Sequence, residues 1–433
     1  MSTFKQNALS RRRFLERAAA VAAGAATPLV LPARLFGAAA PSRRVTVGHI
    51  GVGGQGSGLL GGFLGVDLSQ SVATCDPIKS RRDAAAQKVE QHYASATGAG
   101  SYKGCTAYND FREVIGRADV DAVVIASPDH WHVPLALAAV RAGKDVYVEK
   151  PLGISMEQDK AMRETVHRHG AVFQYGTQQR SFSAHCGFAC ELVRNGYLGD
   201  LTAIHVVAPN NNSGGRAVAE PVPEGIDYDL WLGPAPAAPY AHDRVLGTGR
   251  WFIYDYALGF IAGWGAHPVD IAHWGYPHIP VEYQGTGLIP TEGLFDTVCN
   301  WKVHGRYASG VEFTFAAGSD STKFVGTRGW VSVSRGSISA EPASLLKVKI
   351  KPDEVHLLQD HHHQRDFVDC VLNRRTPVSN VVSAVQSDFV SHLSDIAIRT
   401  GRTIQWDPEK ETIVGNDAAV RMMHRPMREP WTL

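Results

Sequence analysis

The stretch Arg44-Val45-Thr46-Val47-Gly48-His49-Ile50-Gly51-Val52-Gly53-Gly54-Gln55-Gly56 decides the fold of this chain. Its first seven residues read as a buried β-strand, and the glycines that follow have G-x-G-x-x-G spacing. Gly51 suits a tight turn, and Gly53 lets the backbone approach a pyrophosphate. Gly56 lets the next helix pack close to the strand. Gly54 and Gln55 in the same turn are expected to touch the cofactor as well, and the following helix aims its N-terminus at the phosphates. So Gly-rich a stretch matches the pattern easily by chance, and the flanking sequence has to carry the reading.

Downstream, Ser71-Val72-Ala73-Thr74-Cys75-Asp76 reads as a second strand ending in an acid about 20 residues beyond Gly56. A carboxylate there accepts hydrogen bonds from ribose hydroxyls and repels a 2′-phosphate, which favours NAD over NADP. Arg81 and Arg82 follow, either offsetting that repulsion or solvated on the helix. Asp121 to Pro128 is a continuous apolar strand of the kind covered on both faces in parallel sheets. Asp129-His130-Trp131-His132 lies just past its carboxyl end, where open α/β sheets bind ligands. A helix over about 133–142 leads to a strand over 144–151 that ends in Glu149-Lys150-Pro151. Strand, glycines, helix and acid in this order predict a Rossmann domain.

At 433 residues the chain is long enough for two domains. With 43 basic and 42 acidic residues the formal net charge is +1, too small a field to attract a polyanion, so nucleic acid is not an expected partner. Ser10-Arg11-Arg12-Arg13-Phe14-Leu15 matches a twin-arginine export motif. Alanine-rich sequence and the small residues Ala38-Ala39-Ala40 follow. Residues 1–40 therefore read as a removable leader with no permanent membrane span, an uncleaved amphipathic anchor being the competing view. Export through this pathway places the protein in the periplasm or beyond. The route carries folded proteins, so the leader also suggests a cofactor loaded beforehand. The six cysteines have no framework spacing, consistent with folding in a reducing compartment.

Three regions carry a family resemblance. They are Gly51 to Gly56, Ser127 to His132 with Glu149-Lys150-Pro151, and Gly265-Ala266-His267-Pro268-Val269-Asp270. On these the chain resembles the Gfo/Idh/MocA oxidoreductases, which include glucose–fructose oxidoreductase and inositol 2-dehydrogenase. Tyr175 to Arg180, Asp229 to Pro234 and Arg425 to Trp431 extend the similarity over the mature chain and look like an exported bacterial branch. The resemblance implies an NAD cofactor touching Ser127, Pro128, His130, His132, Glu149 and Lys150. It also implies that Lys150 lies between nicotinamide and substrate and hydrogen-bonds the reacting hydroxyl. A cation there lowers the cost of alkoxide character as hydride leaves. His267 is the implied acid/base, and Asp270, three residues on, either tunes it or serves a helix N-terminus. The family motif commonly carries Asp four residues before this His, where the present chain has Gly263. Asp255 is a candidate replacement carboxylate.

The domain organisation expected is a leader over 1–40, a Rossmann domain over 41–165, and an α+β substrate domain over 166–380. A C-terminal helix and extended arm complete it over 381–433. Strand-like runs from about 281 to 348 without intervening helices predict a large, mainly antiparallel sheet, through which relatives often pair, implying a homo-oligomer. Gln178, Gln179 and Arg180 follow a strand and either grip substrate hydroxyls or cap structure. Trp251, Trp264 and Trp274 either stack on sugar rings or fill core. The run His361-His362-His363 and the pair Cys186 and Cys190 do not converge on an ion, so no metal is expected.

The leading functional reading is hydride exchange between NAD and a secondary hydroxyl of a sugar, glycoside or cyclitol. Outside the cytoplasm a lost cofactor is not replaced, so a retained one is expected. The second reading is glycoside cleavage through transient oxidation, elimination and re-reduction. A third is a sugar-binding protein without catalysis.

Overall fold

The computed structural model describes residues 44–98, 100–182, 184–357 and 362–433. The expected leader and His361 lie outside the described residues. Six strands form a wholly parallel sheet: β1 (Val45–Ile50), β2 (Ser69–Cys75), β3 (Thr106–Tyr108), β4 (Ala122–Ile125), β5 (Asp145–Val148) and β6 (Phe173–Tyr175). Their spatial order is β3-β2-β1-β4-β5-β6. The winding direction reverses between β1 and β4, which opens a crevice at the carboxyl ends of those two strands. Ala122 to Ile125 are all buried, as a strand covered on both faces requires.

The parallel sheet runs past residue 165, because β6 pairs with β5 through Val146, Tyr147 and Val148. A later helix, His363–Asn373, returns to it and packs Phe367, Val368 and Val371 against Val45, Val47 and Tyr147. Val45 to Leu433 is accordingly one compact unit.

The second sheet has nine strands: β7 (Leu201–Ala208), β8 (Glu282–Leu288), β9 (Cys299–Arg306), β10 (Glu312–Ala317), β11 (Ser321–Gly326), β12 (Gly329–Val333), β13 (Ile338–Glu341), β14 (Ile404–Asp407) and β15 (Thr412–Val414). Their order is β13-β12-β11-β7-β10-β9-β8-β14-β15, antiparallel throughout except for the β7–β10 pair. One local expectation changes. The tail beyond Trp406 is not simply an extended arm, since β14 and β15 extend the sheet edge and the short helix Asp417–Arg421 follows. The last long helix spans Val381–Thr400, and the Asn380 side chain accepts from the amides of Val382 and Ser383 and caps its start. Among the described residues no helix is long and apolar enough to cross a membrane.

Candidate active site

A cleft of about 380 Å³ lies over the carboxyl ends of β1 and β4. Its floor is the glycine turn. Gly51 has a φ of +78°, and a β-carbon there would stand 2.5–2.7 Å from the backbone of Ala126 and Ser127. A β-carbon on Gly56 would lie 1.9 Å from the Gly51 carbonyl oxygen. Only glycine fits at either position. The Gly54–Leu64 helix starts directly after the turn, so its free amides face the cleft. At the other end of the floor, Asp76 lines the cleft and accepts from the amides of Val52 (3.1 Å) and Ile78 (2.9 Å). Burial raises its pKa, while nearby Arg81 opposes the shift. These are the features a dinucleotide requires: a turn stripped of side chains, free helix amides and an acid at the ribose position.

The wall over β4 is built by the Asp129–Arg141 helix, which begins four residues before the expected 133, so Asp129 to His132 form its first turn. Ser127, Pro128, Asp129 and His132 line the cleft. His132 lies between the carbonyls of Pro151 (2.6 Å) and Ser127 (2.9 Å), stitching two segments of the wall together. His130, expected against the cofactor, instead faces the interior. It is fully buried, with Nε2 3.2 Å from the Trp231 carbonyl and its ring against Tyr256. Residues two apart on a helix point to opposite sides, so the turn that sets buried His132 against the cleft wall turns His130 away. Asp129, which the sequence reading did not single out, is a buried cleft carboxyl with no side-chain partner among the described residues. Burial pushes its pKa up to about 8, against the pull of Lys150 and Arg250.

Glu149 is buried and ties the floor to the wall. One of its oxygens accepts from Gln55 (2.9 Å) and from Gln178 (3.0 Å). Gln178 is thus spent on Glu149 and does not line the cleft, contrary to the expectation that it grips substrate. Lys150 does line the cleft, and its Nζ donates to the Gly263 carbonyl at 2.8 Å. The position where the resemblance leads one to expect a carboxylate thus meets the lysine through its backbone. A β-carbon on Gly263 would touch only Phe260, at 3.8 Å.

His267 is buried on the Ala266–Gly275 helix, beside Trp264 and not itself among the lining residues. Its Nδ1 lies 2.9 Å from Gln179 Oε1, and the Gln179 amide donates to the His267 carbonyl (3.1 Å). Because Oε1 only accepts, the proton belongs on Nδ1, which leaves the lone pair on Nε2. Burial, then the charge of Lys150, holds the imidazole pKa well below its usual value, so it is neutral near pH 7.

Asp270 does not reach His267. It is fully buried and pairs through both oxygens with Arg180 (2.6 and 2.7 Å), with Gln179 alone linking it to the imidazole. Arg180, expected to hold substrate, is consumed by this pair, since a buried charge needs a partner. Trp264 lines the cleft, as do Trp251 and Phe260, whereas Trp274 packs away from it under Arg180. Asp255 lies in a different depression, alongside Tyr254 and Arg425, and supplies no carboxylate to Lys150.

One further cluster had no sequence signal. Asp159, Asp388 and His392 are buried, and one ligand atom from each lies within 4.8 Å of the others. Asp388 accepts from the Leu152 amide and the Tyr175 hydroxyl, both at 2.6 Å, and so braces the segment that follows Lys150.

Comparison with known proteins agrees with this geometry. A model described as oxidoreductase family, NAD-binding Rossmann fold, matches residues 45–177. Another, described as oxidoreductase family, C-terminal alpha/beta domain, matches residues 212–433. Among curated proteins, a glycosyl hydrolase family 109 protein of Shewanella amazonensis is 37% identical over 165 residues, 35% of each chain. An alpha-N-acetylgalactosaminidase of Shewanella oneidensis is 30% identical over 177 residues, 37% of each chain. The chain thus spans about a third of the length of the curated relatives it matches. Scyllo-inositol dehydrogenase from Lactobacillus casei, solved with NAD(H) and scyllo-inositol, superposes with a TM-score of 0.57 at 16% identity, covering 84% of this chain and 99% of that one. Aldose-aldose oxidoreductase from Caulobacter crescentus gives 0.59 at 19% identity, covering 84% and 100%. At these identities the two structures speak for the fold.

Proposed function

The chain belongs to the Gfo/Idh/MocA oxidoreductase family, with an NAD-binding Rossmann domain, and from that premise we propose that it oxidises or reduces a secondary hydroxyl of a sugar, glycoside or cyclitol. The observation that carries this reading is Lys150, held 2.8 Å from the Gly263 carbonyl at the cleft wall with neutral His267 as an electrostatic neighbour. NAD supplies a hydride acceptor and donor when bound. The rest falls to the chain's own groups. An ammonium has three donors, so Lys150 keeps two for a substrate oxygen after bonding to Gly263. His267, protonated on Nδ1 by its contact with Gln179, has an Nε2 lone pair that would take up the hydroxyl proton, directly or through one water, from beside Trp264. Trp251, Phe260 and Trp264 present apolar faces that suit the C–H face of a sugar ring.

Adding a sugar panel to the purified protein is expected to raise the absorbance band of reduced nicotinamide. Lys150→Ala is expected to abolish it while sugar binding persists, and normal turnover by that variant would overturn the assignment.

Glycoside cleavage is the second reading, supported by the names of the curated relatives, which match about a third of the chain. A ketone at one ring carbon acidifies the neighbouring C–H, the aglycone leaves by elimination, water adds, and the ketone is reduced back. Chromatography separates the two: a keto-sugar supports net oxidation, whereas free sugar plus aglycone supports hydrolysis. The same proposal includes export through the twin-arginine route with the cofactor loaded, and pairing of subunits through the nine-stranded sheet. Fractionation of cells and light scattering of the mature protein test these two points.

A further inference from the structure

Two arginines in the cleft form no ion pair among the described residues, although Asp76 and Asp129 lie near enough to feel their charge. Arg81, on the Lys79–Thr97 helix, has its Nη1 3.6 Å from where a β-carbon on Gly53 would sit, so its guanidinium lies over the glycine turn. Arg250 belongs to the short helix Gly249–Phe252 in the other half of the molecule and lines the same cleft. It is braced by the Gly247 carbonyl and stacks on Trp251, 4.1 Å from the ring centroid. Neither has a carboxylate within ion-pair distance among the described residues. Arg82, by contrast, is spent on the Asp76 carbonyl and Asn109. The two cleft guanidinium groups also sense each other: after burial, Arg81 is the largest influence lowering the pKa of Arg250. Like charges converging over a helix N-terminus make a site for an anion.

The geometry points to Arg81 and Arg250 as a two-sided clamp on the diphosphate of the bound dinucleotide, closing the cleft and retaining the cofactor. The inference rests on the dinucleotide reading of the cleft and names the groups that hold it. Arg81 approaches from the floor and Arg250 from the opposite wall, so the anion is gripped by residues 169 positions apart in the chain. A guanidinium pairs with phosphate oxygens through two parallel hydrogen bonds, and such pairs strengthen where water is excluded. A 2′-phosphate is the poorer occupant, because the Asp76 carboxylate stands at the ribose end. Release of the dinucleotide would require both arginines to let go. An enzyme carried into a compartment without free nicotinamide needs that property.

The test uses protein purified from cytoplasmic expression, gel-filtered and then denatured, with the released nucleotide quantified by mass spectrometry. Wild type is expected to retain NAD at near one per chain, and Arg250→Ala and Arg81→Ala to lose most of it. Folding of each variant is checked by circular dichroism. Titration of nucleotide-free protein with ADP-ribose is expected to show at least a tenfold weakening in each variant. Adenosine, which lacks the diphosphate, should bind all three proteins alike. Equal retention and equal ADP-ribose affinity in wild type and both variants overturns the clamp. So does an effect of Arg81→Ala confined to NADP, which would place that arginine at a 2′-phosphate. If wild type binds neither NAD nor ADP-ribose, the dinucleotide assignment itself falls, and the clamp with it.

Discussion

The floor of the cleft and its far wall differ in how far apart their partners lie in sequence. On the floor, the glycine turn and Asp76 meet through a hydrogen bond spanning 24 residues, inside one βαβ unit. On the wall, Gln179 reaches His267 across 88 residues, Arg180 reaches Asp270 across 90, and Lys150 reaches Gly263 across 113. A unit closed by local contacts has one way to satisfy its backbone and so leaves a pattern in sequence. A network assembled from distant segments leaves only residue types, each with several possible partners. Arg180 shows the consequence: its position after a strand suits a substrate grip, yet the nearest buried charge claims it.

That contrast can be broken by mutation, most severely on the wall. Arg180→Ala leaves Asp270 as an uncompensated buried charge, so a loss of about 3–5 kcal/mol is expected in denaturant unfolding. A loss below 1 kcal/mol would mean that Asp270 is satisfied elsewhere. On the floor, Gly56→Ala drives a β-carbon into the Gly51 carbonyl, 1.9 Å away. About 1–3 kcal/mol of stability should be lost together with bound nucleotide. A variant that keeps both would refute the close packing of helix on strand.

Smaller effects sharpen the comparison. Gln179→Leu removes the acceptor that fixes the His267 proton on Nδ1. Turnover is expected to fall about tenfold to a hundredfold and the pH profile of kcat/KM to move, with NAD binding unchanged. A fall in NAD affinity instead would tie Gln179 to the floor.

The effect of Asp129→Asn depends on pH, absent in acid and growing as pH rises, and is read by thermal melts of nucleotide-free protein across pH. Burial raises the folded pKa of Asp129 from 3.8 to about 8, so the folded state favours the protonated acid. Its contribution to stability is full below pH 3.8 and is lost as pH rises through about 8, with a slope of up to about 1.4 kcal/mol per pH unit. Asn stays neutral, so the variant should lack that decline, gain on wild type between about pH 4 and pH 8, and keep a constant offset at higher pH. Parallel melting curves would show that Asp129 is solvated.

Much of the fold was legible beforehand. The parallel sheet, the glycine turn and the mainly antiparallel second sheet all follow from apolar runs and turn residues with fixed periods. Within the site, Lys150 and Trp264 line the cleft where their motifs suggest. His130 and Gln178 do not, because a helix turn and a buried glutamate redirect them. Asp129 stood in the segment just past the fourth strand without a role, and Arg250 and the Asp388 brace were missed, since nothing in a linear motif marks a carboxyl that will be buried or a cation that will lack an ion pair.

The sequence alone determined that a dinucleotide turn follows β1, because Gly51 and Gly56 occupy positions where backbone sterics admit no β-carbon. Hard-sphere exclusion acts over a few residues and is written in their spacing. Tertiary structure alone decided which charges face the cleft and which neutralise one another beneath it. Burying a charge is costly at any sequence separation, and its partner is whichever group the packed chain brings within hydrogen-bond reach.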